Sequence, residues 1–184
     1  PSLPVDVSGA LAAVSFGAGR FVILGYSYSS TQGYLTTSTD GVTWTRGTGL
    51  STDLHDVAYG NGRFLAVGWS TWSSEDGLAW TRLSTHPFFS TVTYGADRFL
   101  AVGSGGLTYT SWFGNWVTSP SPTRRPLSGA AWGTDPQSGQ PRAVAVGESI
   151  GIYSGSAASY PGVSIADTSV VEGRSGSTLA SFRV

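Results

Sequence analysis

Short apolar runs, each preceded by a tight polar turn and closed by a glycine, recur along this chain of 184 residues. One phrase consists of an aromatic residue, Gly, a polar turn, Arg, an apolar run and a final Gly. It occurs at 16–25, 59–68 and 94–103, and in a longer form at 132–147. Two apolar runs separated by a tight turn predict a β-hairpin. Because the phrase returns four times, we expect a chain of repeated units.

A second phrase follows the first two hairpins. It reads STDGVTW at 38–44 and SEDGLAW at 74–80, and a shortened SWFGNW lies at 111–116. Its tryptophans, Trp44, Trp80 and Trp116, are 36 residues apart, twice over. One unit then holds four strands joined by short connections, which is a meander. The fourth unit has three recognisable strands and lacks both the Asp-Gly turn and the Trp.

Four-stranded meanders repeating about every 40 residues predict a β-propeller. A twisted sheet hides its apolar faces only against neighbouring sheets, and Trp side chains can fill the space between them. We expect an all-β chain of four-stranded antiparallel blades at about 11–47, 54–84, 90–119 and 128–156. A β-solenoid or an open sandwich is the alternative. The ring is either incomplete, closed by a strand from residues 1–10, or completed by another copy.

The S-x-D-G-x-x-W phrase resembles the Asp-box of sialidase-like and BNR-repeat propellers. The hairpin phrase resembles the repeat of many secreted bacterial proteins of that broad group, and the likeness covers about residues 11–155. It implies that the Asp side chains cap their turns and that the Trp side chains pack in the core. The structural residues carried over are Asp40, Trp44, Asp76, Trp80 and Trp116. In the third copy Phe113 stands where Asp is expected, so that cap is lost. The resemblance also implies a secreted or cell-surface bacterial protein.

The last residues differ from the repeats, so we expect propeller repeats in 1–158 and a separate segment in 159–184. The segment at 163–184 resembles the opening of a Calx-beta domain, a calcium-associated sandwich module of extracellular proteins. Asp167 and Glu172 are the calcium candidates that this resemblance supplies. Calcium takes about six to eight oxygen ligands, so surface solvation is their alternative role. No other cofactor is expected.

Composition excludes several classes of function. Charged residues make up 11% of the chain, its formal net charge is −1, and it has no Cys. Without an extended basic face, no nucleic-acid binding is expected. No apolar run reaches the length of a membrane-spanning helix. The absence of Cys excludes disulfides, thiol nucleophiles and Cys-ligated zinc.

Little in the sequence points to catalysis. A sialidase needs converging Arg side chains, a Tyr activated by Glu, and an acidic residue. One Arg stands at the hairpin turn of each repeat, namely Arg20, Arg63, Arg98 and Arg142. A position repeated in every unit is more typical of a structural role. We therefore expect no enzymatic activity, with a degenerate sialidase-like glycoside hydrolase as the alternative.

Binding is the expected function. Propellers use the loops between second and third strands, and between blades, as a ligand face. Aromatic rings among hydroxyl groups suit stacking on sugar rings. The ligand-binding candidates are Tyr26, Tyr28, Tyr34, Trp69, His86, Arg124 and Glu148, and the connections holding Asp53, His55 and Phe88 share their face. We expect an adhesion or binding module for a glycan or a surface protein. For Trp69, packing between blades is the alternative.

A purely structural role is the other function that the sequence leaves open. In that case the C-terminal strands would pair between chains, and the protein would self-associate.

Overall fold

The computed structural model describes residues 9–28, 33–47, 50, 54–84, 88–106, 108–112, 115–119, 124–148 and 151–156. Apart from a short 3₁₀ turn at Ser104–Gly106, every regular element in these residues is a β-strand. The strands form three four-stranded sheets and one three-stranded sheet, each a simple antiparallel meander. The prediction of an all-β chain with antiparallel four-stranded sheets is thus confirmed for three of the four repeats.

We call the four sheets blades 1 to 4. Blade 1 consists of β1 (Gly9–Gly17), β2 (Arg20–Ser27), β3 (Gly33–Ser38) and β4 (Thr45–Arg46). Blade 2 consists of β5 (Leu54–Gly60), β6 (Arg63–Gly68), β7 (Thr71–Ser74) and β8 (Thr81–Ser84). Blade 3 consists of β9 (Phe89–Gly95), β10 (Arg98–Gly103), β11 (Thr108–Trp112) and β12 (Asn115–Ser119). Blade 4 consists of β13 (Leu127–Thr134), β14 (Pro141–Gly147) and β15 (Gly151–Ser156).

The hairpins that open the first three blades share one turn geometry. Both central residues have positive φ in each, at Ala18-Gly19, Asn61-Gly62 and Ala96-Asp97. Two positive φ angles match the right-handed twist of the flanking strands, which is why Asn-Gly is favoured there. Blade 3 keeps the geometry with Ala96 at φ 49° and no glycine. The turn conformation is therefore the same in the three blades, although in blade 3 neither central residue is a glycine.

Each blade has two ends, because its strands run antiparallel. The turn end carries the β1–β2, β5–β6 and β9–β10 turns together with the Asp-Gly turns that follow β3 and β7. The loop end carries the beginnings of the inner strands β1, β5, β9 and β13 and the residues that leave β2, β6, β10 and β14. The two ends hold different kinds of residue.

Three hydrophobic clusters hold consecutive blades together. Side chains alternate across a strand, so β6 sends Phe64 and Ala66 into the cluster shared with blade 1. Its Leu65 and Val67 enter the cluster shared with blade 3. The third cluster joins β10, through Leu100 and Val102, to Leu127, Ala143 and Ala145 of blade 4. The strands β6 and β10 are thus buried on both faces, as their continuous apolar runs predict.

An aromatic ring of each later blade lies over a glycine of the blade before it. A Cβ added to Gly17 would lie 2.0 Å from the Tyr59 ring, and one added to Gly60 would lie 2.0 Å from the Tyr94 ring. At Gly95 the nearest atoms would be those of Trp132, at 2.5 Å. Any side chain at these glycines would collide with the ring. The aromatic-Gly pair that opens each repeat is therefore an interblade joint.

The described residues do not close a ring. The inner strands pack in succession from β1 to β5, β9 and β13, and the three clusters join blades 1–2, 2–3 and 3–4. On the far face of blade 1, Val14 is 62% exposed and Phe16 is 55% exposed. Of the segment 1–10 that was expected to supply a closing strand, Gly9 and Ala10 begin β1. Residues 1–8 and the Calx-beta-like segment in 159–184 lie outside the described residues.

Candidate functional site

The turn end is built around two aspartates. In blade 1 the Oδ1 of Asp40 accepts hydrogen bonds from the backbone N–H of Thr43 at 2.7 Å and of Val42 at 2.8 Å, and from the Ser38 hydroxyl at 2.8 Å. The Ser38 Oγ in turn accepts the N–H of Gly41 at 2.8 Å. The N–H of Thr43, then that of Val42, then the Ser38 hydroxyl hold the pKa of Asp40 well below its ordinary value. These groups favour the ionised carboxylate, which caps the turn.

Blade 2 repeats this turn at a covered position. Asp76 Oδ1 accepts the N–H of Leu78 at 2.8 Å and of Ala79 at 3.0 Å, and the N–H of Ala79, then that of Leu78, lower the pKa of Asp76. A Cβ added to Gly77 would lie 2.8 Å from the Val22 side chain of blade 1. The turn of one blade therefore packs on the neighbouring blade as well as closing its own hairpin.

The tryptophans of these turns are only half-buried. Trp80 packs against the cluster between blades 1 and 2, with Phe64 at a ring distance of 6.2 Å, and its Nε1 donates to the Gly77 carbonyl at 3.2 Å. Trp44 lies 6.4 Å from Phe21. Trp116 lies in β12 opposite Ser111, where only the backbone is described. Both described indoles pack against a Phe of their own sheet, and Trp80 also packs against the cluster shared by blades 1 and 2.

The arginines of the repeat make individual contacts at the turn end. Arg63 lies 3.7 Å from Glu75, Arg98 Nε donates to the Ala96 carbonyl at 3.3 Å, and Arg142 pairs with Asp135. The hydrogen bonds from the N–H groups of Gln137 and Ser138, and then the charge of Arg142, lower the pKa of Asp135. Arg98 and Arg142 thus contact residues of their own hairpin turns, whereas Arg63 contacts the Asp-Gly turn of its blade.

The loop end places unlike residues at equivalent positions. The residue after the last glycine of each hairpin is Tyr26, Trp69, Ser104 or Glu148. In three of the four hairpins the glycine before this residue is required. A Cβ on Gly25, Gly103 or Gly147 would lie 2.2 Å from a carbonyl oxygen at the start of the inner strand. The N–H groups of Ser104 and Glu148 bond to those entering segments, at the carbonyls of Phe88 and Pro126. The backbone is conserved between blades while the side chain is free to vary.

Five rings at the loop end form a continuous line, which we call the aromatic row: Tyr28, Tyr26, His55, Phe88 and Trp69. Successive centroids are 5.7, 5.5, 4.7 and 5.2 Å apart. Tyr26 and His55 stack with an interplanar angle of 19°, and Phe88 meets His55 edge-on at 83°. The row starts on blade 1, passes His55 of blade 2 and Phe88 at the entry to blade 3, and ends at Trp69 of blade 2. Its outermost rings are open, with Tyr28 74% and Trp69 60% exposed.

The predicted ligand-binding residues separate into groups. Tyr26, Tyr28 and Trp69 lie in the aromatic row, while Arg124 and Glu148 are exposed where blade 4 begins and where β14 ends. Tyr34 does not fit the prediction. It is 9% exposed, its ring lies beneath the Arg46 guanidinium at 5.8 Å, and it packs beside Gly9. Tyr34 is the second residue of β3, where its buried ring serves packing. His86 lies outside the described residues.

His55 and Phe88 are the residues of the row that sequence reasoning placed only on connections of the same face. Their shared signal is position, since both lie where a chain enters an inner strand. Asp56, next to His55, was not singled out. Its Oδ1 accepts the N–H of Val57 at 2.8 Å, and its Oδ2 accepts the N–H of Val92 at 2.8 Å and the Thr91 hydroxyl. This carboxylate thus ties β5 to β9 directly below the row.

Within the described ranges, no three His, Asp or Glu side chains come together in a way that could hold a metal ion. The calcium candidates Asp167 and Glu172 fall outside those ranges. No helix in the same ranges has the length and hydrophobicity needed to cross a bilayer.

The meandering sheets, packed face to face around their inner strands, define a propeller-like all-β protein. Among solved structures, the chain is similar to the computationally designed Ika4 protein, with a TM-score of 0.58 and 8% identity over 83% of this chain and 94% of that one. It is also similar to the designed Ika8 protein, with a TM-score of 0.61 and 8% identity over 80% of this chain and 46% of that chain. A third likeness is to Sqt1 of Saccharomyces cerevisiae, with a TM-score of 0.59 and 11% identity over 81% of this chain and 45% of that chain.

These likenesses concern the fold alone. The chain spans less than half the length of Ika8 and of Sqt1. No protein-family model matches the sequence, and no curated protein matches it significantly. The propeller-like fold is therefore established by architecture.

Proposed function

We propose that this chain is a non-catalytic binding module that recognises a carbohydrate at the aromatic row. The observation that carries the proposal is the exposure of Trp69 and Tyr28 at the two ends of a line of contacting rings. A large apolar ring left open to water is unfavourable unless a partner covers it. Sugar rings have apolar faces bordered by hydroxyls, which suit a flat aromatic surface among hydrogen-bonding groups.

The inner rings of the row preorganise this surface. The His55 imidazole stacks on Tyr26 and meets Phe88, so three blades hold the middle of the row in one arrangement. Rings fixed before binding lose little conformational entropy when the ligand arrives. Ser27, which lies between Tyr26 and Tyr28 in the chain and is only partly buried, adds a hydroxyl group to this end of the blades.

The ring contacts of His55 with Tyr26 and Phe88 support a packing role for this imidazole and, with it, the proposal of a non-catalytic module. We also propose, from the resemblance of the repeats, that the module acts outside the cell or on its surface. A structural role through the C-terminal strands concerns residues outside the described ranges, and nothing in the described ones favours it.

A glycan array probed with the full chain tests the proposal, followed by calorimetric titration of the best glycan. We expect Trp69→Ala and Tyr28→Ala each to weaken binding by about tenfold or more, as for a central aromatic contact worth about 1.4–2 kcal/mol. Both rings are exposed, so the free energy of unfolding should change by no more than about 0.5 kcal/mol.

Leu78→Ala is the matched control. Leu78 is 47% exposed, but it lies in the capped turn at the opposite end of blade 2. Its removal should leave glycan affinity unchanged. If no glycan binds, or if the Trp69 and Leu78 variants bind a glycan equally well, the aromatic row is not a carbohydrate site.

A further inference from the structure

The interblade joint is built three times within the chain. The two outer faces of the array, one on blade 1 and one on blade 4, each carry one side of this same joint. At each internal joint an aromatic ring of one blade lies over a glycine of the blade before it, as Tyr59 does over Gly17. Two apolar side chains that precede this ring on the same inner strand enter the cluster shared by the two blades. These three positions are Leu54, Val57 and Tyr59 in blade 2, Phe89, Val92 and Tyr94 in blade 3, and Leu127, Ala130 and Trp132 in blade 4.

Blade 1 offers the same three positions, and within the described residues no other blade covers them. Its residues are Leu11, Val14 and Phe16, which are 42%, 62% and 55% exposed. The equivalent Leu54 and Val57 of blade 2 are 0% and 4% exposed. An exposed apolar strand face of this kind is typical of a surface that contacts another protein.

Blade 4 offers the receiving half. Gly133 occupies the position of Gly17, Gly60 and Gly95, but a Cβ added there would meet no atom within 4 Å. Next to Gly133 lies an open cavity of about 440 Å³, lined in part by Ala131, Arg142 and Val144. Nearby Val146 is 42% exposed. This face is therefore open at the position where Gly17, Gly60 and Gly95 are covered by aromatic rings.

The Asp-Gly turns repeat the same relationship. Gly77 of blade 2 lies against Val22 and Arg20 of blade 1, whereas the equivalent Gly41 meets only Phe21 of its own blade. In blade 4 the positions of Val22 and Arg20 are occupied by Val144 and Arg142. Both elements of the joint, ring over glycine and turn over strand, are therefore unfilled at the two outer faces.

We propose that the uncovered face of blade 1 docks on the uncovered face of blade 4 of a second copy of this chain. Phe16 of one copy then lies over Gly133 of the other, and the Gly41 turn covers Val144 and Arg142. Because the two faces differ, the contact is head-to-tail, which builds a closed ring of copies if the angle allows it and an open array if it does not. The chain's own blade 4 does not fill the joint, since its Gly133 and its Phe16 both remain open.

The mass of the full chain in solution, measured by light scattering at increasing concentration, is the first test. We expect at least twice the 19.1 kDa of a single chain at micromolar concentration. Phe16→Asp removes the ring and Gly133→Val fills its seat. Each variant should weaken association by about tenfold or more, as loss of a central contact does. Both positions are open in the single chain, so the variants should remain folded by circular dichroism.

Mixing the two variants is the decisive test. The Phe16→Asp chain keeps an intact blade 4, and the Gly133→Val chain keeps an intact blade 1, so an equimolar mixture can form one correct joint that neither variant forms alone. Association should return in the mixture. A wild-type chain that stays monomeric at all concentrations overturns the proposal, because the chain's own segments then cover the two faces. Dimers that persist in both variants overturn it as well, since another surface then holds the copies together.

Discussion

The turn end and the loop end of the blades differ in how much their residues vary from one repeat to the next. At the turn end, blades 1 and 2 use the same Ser-x-Asp-Gly capping, and an aromatic ring covers a glycine at every internal joint. At the loop end the backbone is just as regular, but the equivalent positions hold Tyr26, Trp69, Ser104 and Glu148. Repetition marks what a blade needs to fold. Divergence within a regular frame marks where a binding function can be placed.

The largest expected effect at the turn end comes from Gly60→Ala. Its Cβ would lie 2.0 Å from the Tyr94 ring, so blade 3 has to shift or the ring has to leave its place. Overpacking of this kind destabilises by about 1–3 kcal/mol. Chemical denaturation at low protein concentration measures the loss.

Gly133→Ala is the control for that change, since it alters the same repeat position where no atom lies within 4 Å. Its unfolding free energy should stay within about 0.5 kcal/mol of the wild type. An equal loss in both variants would show that the glycine is needed for its own strand and not for the joint.

A smaller effect is expected from the capping aspartates. Asp76→Ala leaves the N–H groups of Leu78 and Ala79 without their acceptor, and a lost cap of this type costs about 1 kcal/mol. Asp40→Ala removes the same bonds, but its turn is not packed on another blade. We therefore expect a smaller loss for Asp40→Ala in denaturant titrations. The reverse order would mean that packing on the neighbouring blade adds nothing to the cap.

The smallest effect is the acid dependence of stability. The pKa values of Asp40, Asp76 and Asp135 are all lowered in the folded chain. The unfolded chain then binds protons first, so this contribution is complete above about pH 4, the ordinary Asp range, and is lost as pH falls through the lower folded values. Unfolding curves from pH 7 to pH 2.5 should show this decline, and it should be shallower in the double variant D40N/D76N. An unchanged slope would assign the decline to other groups.

Much of the fold was readable from the sequence because a propeller-like blade repeats its physical requirements. The apolar runs predicted β2, β6, β10 and β14, and the Asp-Gly turns predicted the ends of β3 and β7. Trp44 and Trp80 were expected in the core but are half-buried, since each indole lies at the end of its sheet beside a Phe. Tyr34 was expected at the ligand face, and its position at the start of β3 turns it into the packed interior.

The candidate site was less predictable, because ring contacts join residues far apart in the chain. The predicted face contained Tyr26, Tyr28 and Trp69, and the sequence offered no reason to link them through His55 and Phe88. The stacking depends on how blades 1, 2 and 3 sit beside one another. Likewise, nothing local indicated that Asp56 reaches across to β9.

By itself, the sequence determined the strands, the turns and the number of repeats, because these depend on alternation, turn residues and spacing along the chain. Only the tertiary structure decided which faces are covered. The repeat gives every blade the same aromatic-glycine pair, but a ring finds its glycine only where another blade lies beside it. Phe16 and Gly133 carry the same signals as their counterparts and differ solely in having no neighbour. Burial is a property of the assembled blades, and no single repeat can specify it.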